Sequence, residues 1–166
     1  PIWTTLEKQG FLTASVFWVG SDVEIPHRNP RYFLPYDQAF PAKQRIEEIL
    51  SLLDRPVSER PTFLTLYFEN TDTAGHQFGP ESQEVLQAIQ ELDLHFGQLL
   101  DGLTQRRIHD QVNLLLVSDH GMVSLAPERV LYLDQFISPD DIEFLESDTV
   151  LSLWPKPEKN PAKEKE

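Results

Sequence analysis

A chain of 166 residues, 40% hydrophobic and 25% charged, is long enough to bury a core as one domain. It has no cysteine, which excludes a disulfide framework and a thiolate-ligated metal. Its 27 acidic residues against 14 basic ones, a formal net charge of −13, argue against a large nucleic-acid-binding surface.

No apolar run reaches the ~18 residues of a membrane helix, and no signal peptide is visible. The opening PIWTTLEKQG has the character of a helix interior, as expected of an internal fragment. Residues 1–9 are predicted as a helix closed by Gly10 at the C′ position. FLTASVFW (11–18) follows as a strand. The stretch SDVEIPHRNPRYFLPYDQAFP, with four prolines, is predicted as an irregular excursion. From Ala42, Ile46, Ile49, Leu50 and Leu53 mark one helix face.

TFLTLYFE (62–69) is a continuous apolar run, as expected of a strand covered on both faces. Over residues 81–107, Val85, Ile89, Leu92, Phe96, Leu99 and Leu103 repeat at helical spacing. VNLLLVS (112–118) is predicted as a second buried strand, and RVLYLDQFI and TVLSLW as two short ones. The domain is expected to span 1–154, with 155–166 a polar tail or the start of a truncated helix. Strands alternating with helices predict an α/β fold, a mainly parallel sheet with flanking helices. In such sheets function gathers beyond the carboxyl ends of the strands.

Two strand exits carry chemistry. The first ends in ENTDTAGH and the second in SDHGM, so each brings one aspartate and one histidine: Asp72 with His76, and Asp119 with His120. Carboxylate oxygen and imidazole nitrogen together suit zinc and similar divalent ions. Thr73, Ala74 and Gly75 are small enough for a loop to fold back and face both ligands toward one ion, and Gly121 gives the backbone room to turn. Four such ligands suit two ions about 4 Å apart, the arrangement of phosphoryl-transfer centres. A lone Asp-x-x-x-His is more often an N-capping aspartate and a surface histidine, and a lone Asp-His-Gly is an equally weak signal; the two together at two apolar strand exits are the stronger pattern. His27, His95 and His109 are expected as solvated or packing residues, with His109 favouring the preceding helix dipole.

FWVGSDVEI, LTLYFENTDTAGHQFGP and LLLVSDHGM resemble the nucleotide pyrophosphatase/phosphodiesterase family of the alkaline phosphatase superfamily. The similarity runs over about residues 1–150, and the absence of cysteine is closer to the bacterial members than to the animal ones. The resemblance implies an alkaline phosphatase-like core, incomplete here. It also implies two zinc ions flanking the phosphate, with Asp72 and His76 on one and Asp119 and His120 on the other. A threonine nucleophile is implied upstream of Pro1, together with a further aspartate ligand and a phosphate-contacting asparagine, and a last histidine downstream of Glu166. No catalytic nucleophile is therefore assigned within the chain, and the fragment alone is expected to be inactive.

The resemblance further places Trp18, Asp22 and Tyr36 along a slot for the nucleotide base. Stacking on such rings is worth about 1–3 kcal/mol, and the Asp22 carboxylate can accept from an exocyclic amine. Phe78 is a lesser candidate for substrate contact. The implied activity is hydrolysis of nucleotide phosphodiester or pyrophosphate bonds to nucleoside monophosphates, outside the cytoplasm in the periplasm or as a secreted enzyme. The alternatives are a related hydrolase of lipid diesters, phosphonates or sulfate esters, and an inactive acidic interaction domain.

Overall fold

The computed structural model describes residues 1–23, 29–147 and 150–157. His27 and residues 158–166 of the polar tail lie outside the described residues. The chain forms two compact units, 1–124 and 125–166.

The first unit is built on a three-stranded parallel sheet in the order β2-β1-β3. Strand β1 (Thr13–Val16) is central and buried along its whole length. On one side it pairs with β2 (Tyr32–Leu34), Ala14 opposite Tyr32 and Val16 opposite Leu34. On the other it pairs with β3 (Phe63–Leu66), Thr13 opposite Phe63 and Val16 opposite Leu66. The polar side chains of this buried strand are satisfied, the Thr65 hydroxyl donating to Ser15 Oγ across the ladder at 3.0 Å and the Thr13 hydroxyl donating to Glu7 Oε1 on the preceding helix at 2.6 Å.

Helix α1 (Ile2–Lys8) precedes β1 and ends before Gly10, whose φ of +88° supplies the left-handed exit expected there. Helix α2 (Ala42–Leu53) turns Ile46, Ile49, Leu50 and Leu53 into the core, as its spacing predicts. Helix α4 (Gln83–Gln105) starts on Ser82, whose hydroxyl accepts the Val85 N–H, and adds Leu99 and Leu103 to the same cluster as Val16 and Phe17. Gly102 is what lets α2 and α4 close: a Cβ there would lie 2.8 Å from Leu50 Cδ2.

Four expectations are corrected. The proline-rich excursion contains strand β2; Pro30 and Pro35 flank its three residues, as suits a short edge strand, which needs few ladder donors. TDTAGH is a helix and not a loop: α3 spans Asn70–Phe78. Residues 112–118 join no sheet among the described residues, and Leu115, Leu116 and Val117 are 85%, 82% and 67% exposed. An apolar run states a demand for burial on both faces, and no neighbouring strand meets it here. RVLYLDQFI forms 3-10 turns at Pro127–Arg129 and Leu133–Gln135 instead of a strand. In the second unit TVLSLW does supply a strand, β5 (Leu151–Pro155), antiparallel to β4 (Ile142–Ser147), which no pattern had indicated. Among the described residues no helix is long and apolar enough to cross a membrane.

One ion pair is built into the core of the first unit. Arg45 on α2 is 2% exposed, and its fork meets both carboxylate oxygens of Glu69 at 2.6 and 2.9 Å. That hydrogen-bonded contact holds the Glu69 carboxyl below its ordinary range, against the opposing effect of burial. A depressed folded-state value means stability that is present above the unfolded value of about 4.3 and is lost as pH falls through the folded one. In the intact protein, denaturant unfolding between pH 6 and 3 should show an acid limb that becomes shallower in Glu69→Gln. An unchanged limb would remove Glu69 from the acid response.

Candidate active site

All three sheet strands are parallel, so their carboxyl ends lie on one edge. Phe17 and Trp18 leave β1 there, Tyr36 leaves β2, and α3 starts just beyond β3. In α3, Asp72 sits in the first turn and His76 in the last, one helical step apart on the same face. Their side chains meet, His76 Nε2 lying 3.5 Å from Asp72 Oδ1.

The second pair comes to the same point. His120 Nε2 lies 3.5 Å from Asp119 Oδ2 and 3.9 Å from Asp72 Oδ1. The structure thus brings Asp72, His76, Asp119 and His120 together. They meet as pairs: among the described residues no three His, Asp or Glu side chains form a group shaped to hold one ion. Although the Asp72 side chain is partly exposed, its Oδ1 is sealed from solvent and makes no hydrogen bond. That oxygen faces the imidazole nitrogens of His76 and His120, so an imidazole N–H turned toward it or a cation between them would compensate its burial.

His120 is oriented from behind. Its Nδ1 lies 3.0 Å from the Gly121 carbonyl, so an Nδ1–H donating there leaves the Nε2 lone pair toward the carboxylates. The same contact, followed by the Asp119 charge, raises the imidazole pKa. Gly75 has a different task from the one its sequence suggests. It sits inside α3, where a Cβ would lie 2.5 Å from Met122 Sδ, so its bare backbone makes room for the Met122 side chain, two residues beyond His120.

Of the proposed slot residues, Tyr36 is half exposed and packs edge-on to Phe17, ring centroids 5.9 Å apart. Trp18 is half-buried, its carbonyl accepting the Ser21 N–H. Asp22 is exposed in the loop beyond. Among the described residues no ring contact joins Trp18 to Tyr36. Phe78 closes α3 and is exposed. His95 stacks on Phe68, and His109 pairs with Asp110; neither joins the cluster.

Sequence patterns missed Tyr67. Its phenol pKa is raised first by burial, then by the carboxylates of Asp119, Asp72 and Glu69. Its place one residue beyond β3, on the edge where the strands end, was the available signal.

The whole chain, residues 1–166, matches the family described as type I phosphodiesterase / nucleotide pyrophosphatase. It is 42% identical over 144 residues to the venom phosphodiesterase CdcPDE of Crotalus durissus collilineatus, covering 87% of this chain and 17% of that protein. It is also 42% identical over 137 residues to human ectonucleotide pyrophosphatase/phosphodiesterase family member 1, covering 82% of this chain and 15% of the relative. The chain therefore spans about one sixth of the curated relatives it matches. Among solved structures, murine ectonucleotide pyrophosphatase/phosphodiesterase 5 superposes with a TM-score of 0.83 at 29% identity, over 96% of this chain and 42% of that one. An inactive variant of that murine protein in complex with AMP superposes equally well.

Proposed function

The chain belongs to the type I phosphodiesterase / nucleotide pyrophosphatase family, and we propose that residues 1–154 form part of the catalytic domain of an enzyme that hydrolyses nucleotide phosphodiester or pyrophosphate bonds. The products are nucleoside monophosphates. The observation that carries this is the convergence of Asp72, His76, Asp119 and His120 at the carboxyl edge of a parallel sheet, with the sealed Oδ1 of Asp72 facing both imidazoles.

The donors fit zinc. Two carboxylates and two imidazoles match its preferred ligands, and the hydrogen-bonded Nδ1 of His120 is the usual support for a metal-binding ring. Asp72 and His76 hold one ion and Asp119 and His120 the other, the remaining ligands and the threonine nucleophile coming from sequence outside these residues. When bound, two zinc ions supply Lewis-acid polarisation and offset the charge that develops on the phosphoryl oxygens. The chain's own residues orient the substrate. Trp18 and Tyr36 offer flat faces to the base, and Asp22 accepts from its exocyclic amine. The relatives named as venom and ecto enzymes support action outside the cytoplasm, in the periplasm or as a secreted protein.

The test is kinetic and uses the intact enzyme. Tyr36→Ala removes a ring that stacks equally on ground state and transition state, so it should raise KM and spare kcat. Loss of about 1–3 kcal/mol of stacking corresponds to a roughly 5- to 150-fold rise for a nitrophenyl nucleotide ester. A nitrophenyl phosphodiester without a base should change less than about twofold. Equal damage to both esters would remove Tyr36 from the slot.

A further inference from the structure

Among the described residues Arg45 is the one charged side chain in the buried core, and its contacts reach all three strand exits. Nε donates to the Phe40 carbonyl, beyond β2, at 3.1 Å, and Nη1 donates to the Tyr67 carbonyl, beyond β3, at 3.2 Å. The fork closes on Glu69, which stands at the N-terminal boundary of α3. Its guanidinium carbon lies 4.6 Å above the centre of the Phe17 ring, beyond β1, and 5.6 Å from that of Phe68.

Phe17 is the unusual member of this set. It is fully buried with φ of +61°, a left-handed backbone that a bulky aromatic side chain rarely adopts. Such a conformation persists only where its surroundings over-determine it. Here Arg45 covers the ring's face, while Tyr36 and Phe40 meet it edge-on at 5.9 and 5.4 Å. The strained residue stands immediately before Trp18.

We propose that Arg45, locked by Glu69, is a positioning residue for nucleotide recognition, holding the Phe17–Tyr36 ring pair in fixed register with Asp72 in the first turn of α3. This rests on the assignment of Tyr36 to the base slot. Stability alone does not account for the arrangement, because apolar residues of similar volume commonly replace a buried ion pair without loss. What they cannot do is bind carbonyls of two different exits while covering the ring of a third. The planar fork matters more than the charge, since a lysine ammonium cannot make the two-pronged contact. α3 is packed independently against α4, so loosening the fork releases the rings before it releases Asp72.

The test is a double-mutant cycle in the full-length enzyme, with a nitrophenyl nucleotide ester and a base-free nitrophenyl phosphodiester as substrates. Arg45→Lys should raise KM for the nucleotide ester about tenfold, a 1.4 kcal/mol effect, and leave kcat for both esters within about threefold. In the Tyr36→Ala background the same change should move KM less than about twofold. Glu69→Gln removes the lock without shortening Arg45 and should reproduce the pattern; it carries the test if Arg45→Lys does not fold. A full Arg45→Lys effect in the Tyr36→Ala background, or a parallel loss of kcat on both esters, would show a merely structural role and overturn the proposal. If Tyr36→Ala is itself unselective between the esters, the slot assignment fails and this inference with it. If Tyr36→Ala is selective and Arg45→Lys is not, only the positioning role fails.

Discussion

Asp72→Asn in the intact enzyme should lower kcat/KM by about 10²- to 10³-fold, the scale on which one electrostatic contact to the reacting group is felt. The substitution keeps the shape of the side chain and removes its charge. Asp72 stands at the crossing of the site, its Oδ1 within 3.5 Å of His76 Nε2 and 3.9 Å of His120 Nε2. If Asp72 holds a metal and not the base, nucleotide and base-free esters should suffer alike, opposite to Tyr36→Ala. Bound zinc per chain, measured after dialysis, should fall in parallel. Retained activity would leave Asp72 as an acid that favours the first turn of α3 through the helix dipole.

Leu103→Ala should produce the largest loss of stability, about 2–5 kcal/mol by the shift of a urea unfolding midpoint. Leu103 is 1% exposed and lies in the cluster that joins α2, α4 and the end of β1. The same helix supplies the control. Leu94 is 67% exposed, and Leu94→Ala should stay within about 0.5 kcal/mol of the parent. Equal effects would mean that α4 buries a different face in the whole protein.

That contrast also shows what the sequence could reveal. Helical spacing located Ile46, Ile49, Leu50 and Leu53 and the inner face of α4, because amphipathic periodicity is a local property. It included Ile89, which is exposed, because periodicity marks a stripe without saying how much of it is covered. Asp72, His76, Asp119 and His120 were legible as residue types at strand exits. The helix that carries the first pair was not, since threonine and glycine are weak helix formers and the packing of Gly75 against Met122 is tertiary. Strand β2 hid between prolines, and 112–118 showed a strand's composition without a strand's partner. Arg45 was invisible for the simplest reason: its carbonyl and carboxylate partners beyond β3 lie 22 and 24 residues away along the chain.

The central claim is that the two Asp–His pairs each hold a metal ion. Anomalous diffraction at the zinc edge from crystals of the full-length protein tests it most directly. Two peaks are expected, one about 2 Å from Asp72 and His76 and the other about 2 Å from Asp119 and His120. Zinc bound only elsewhere, or ordered water in place of both peaks in an active, zinc-replete enzyme, would contradict it.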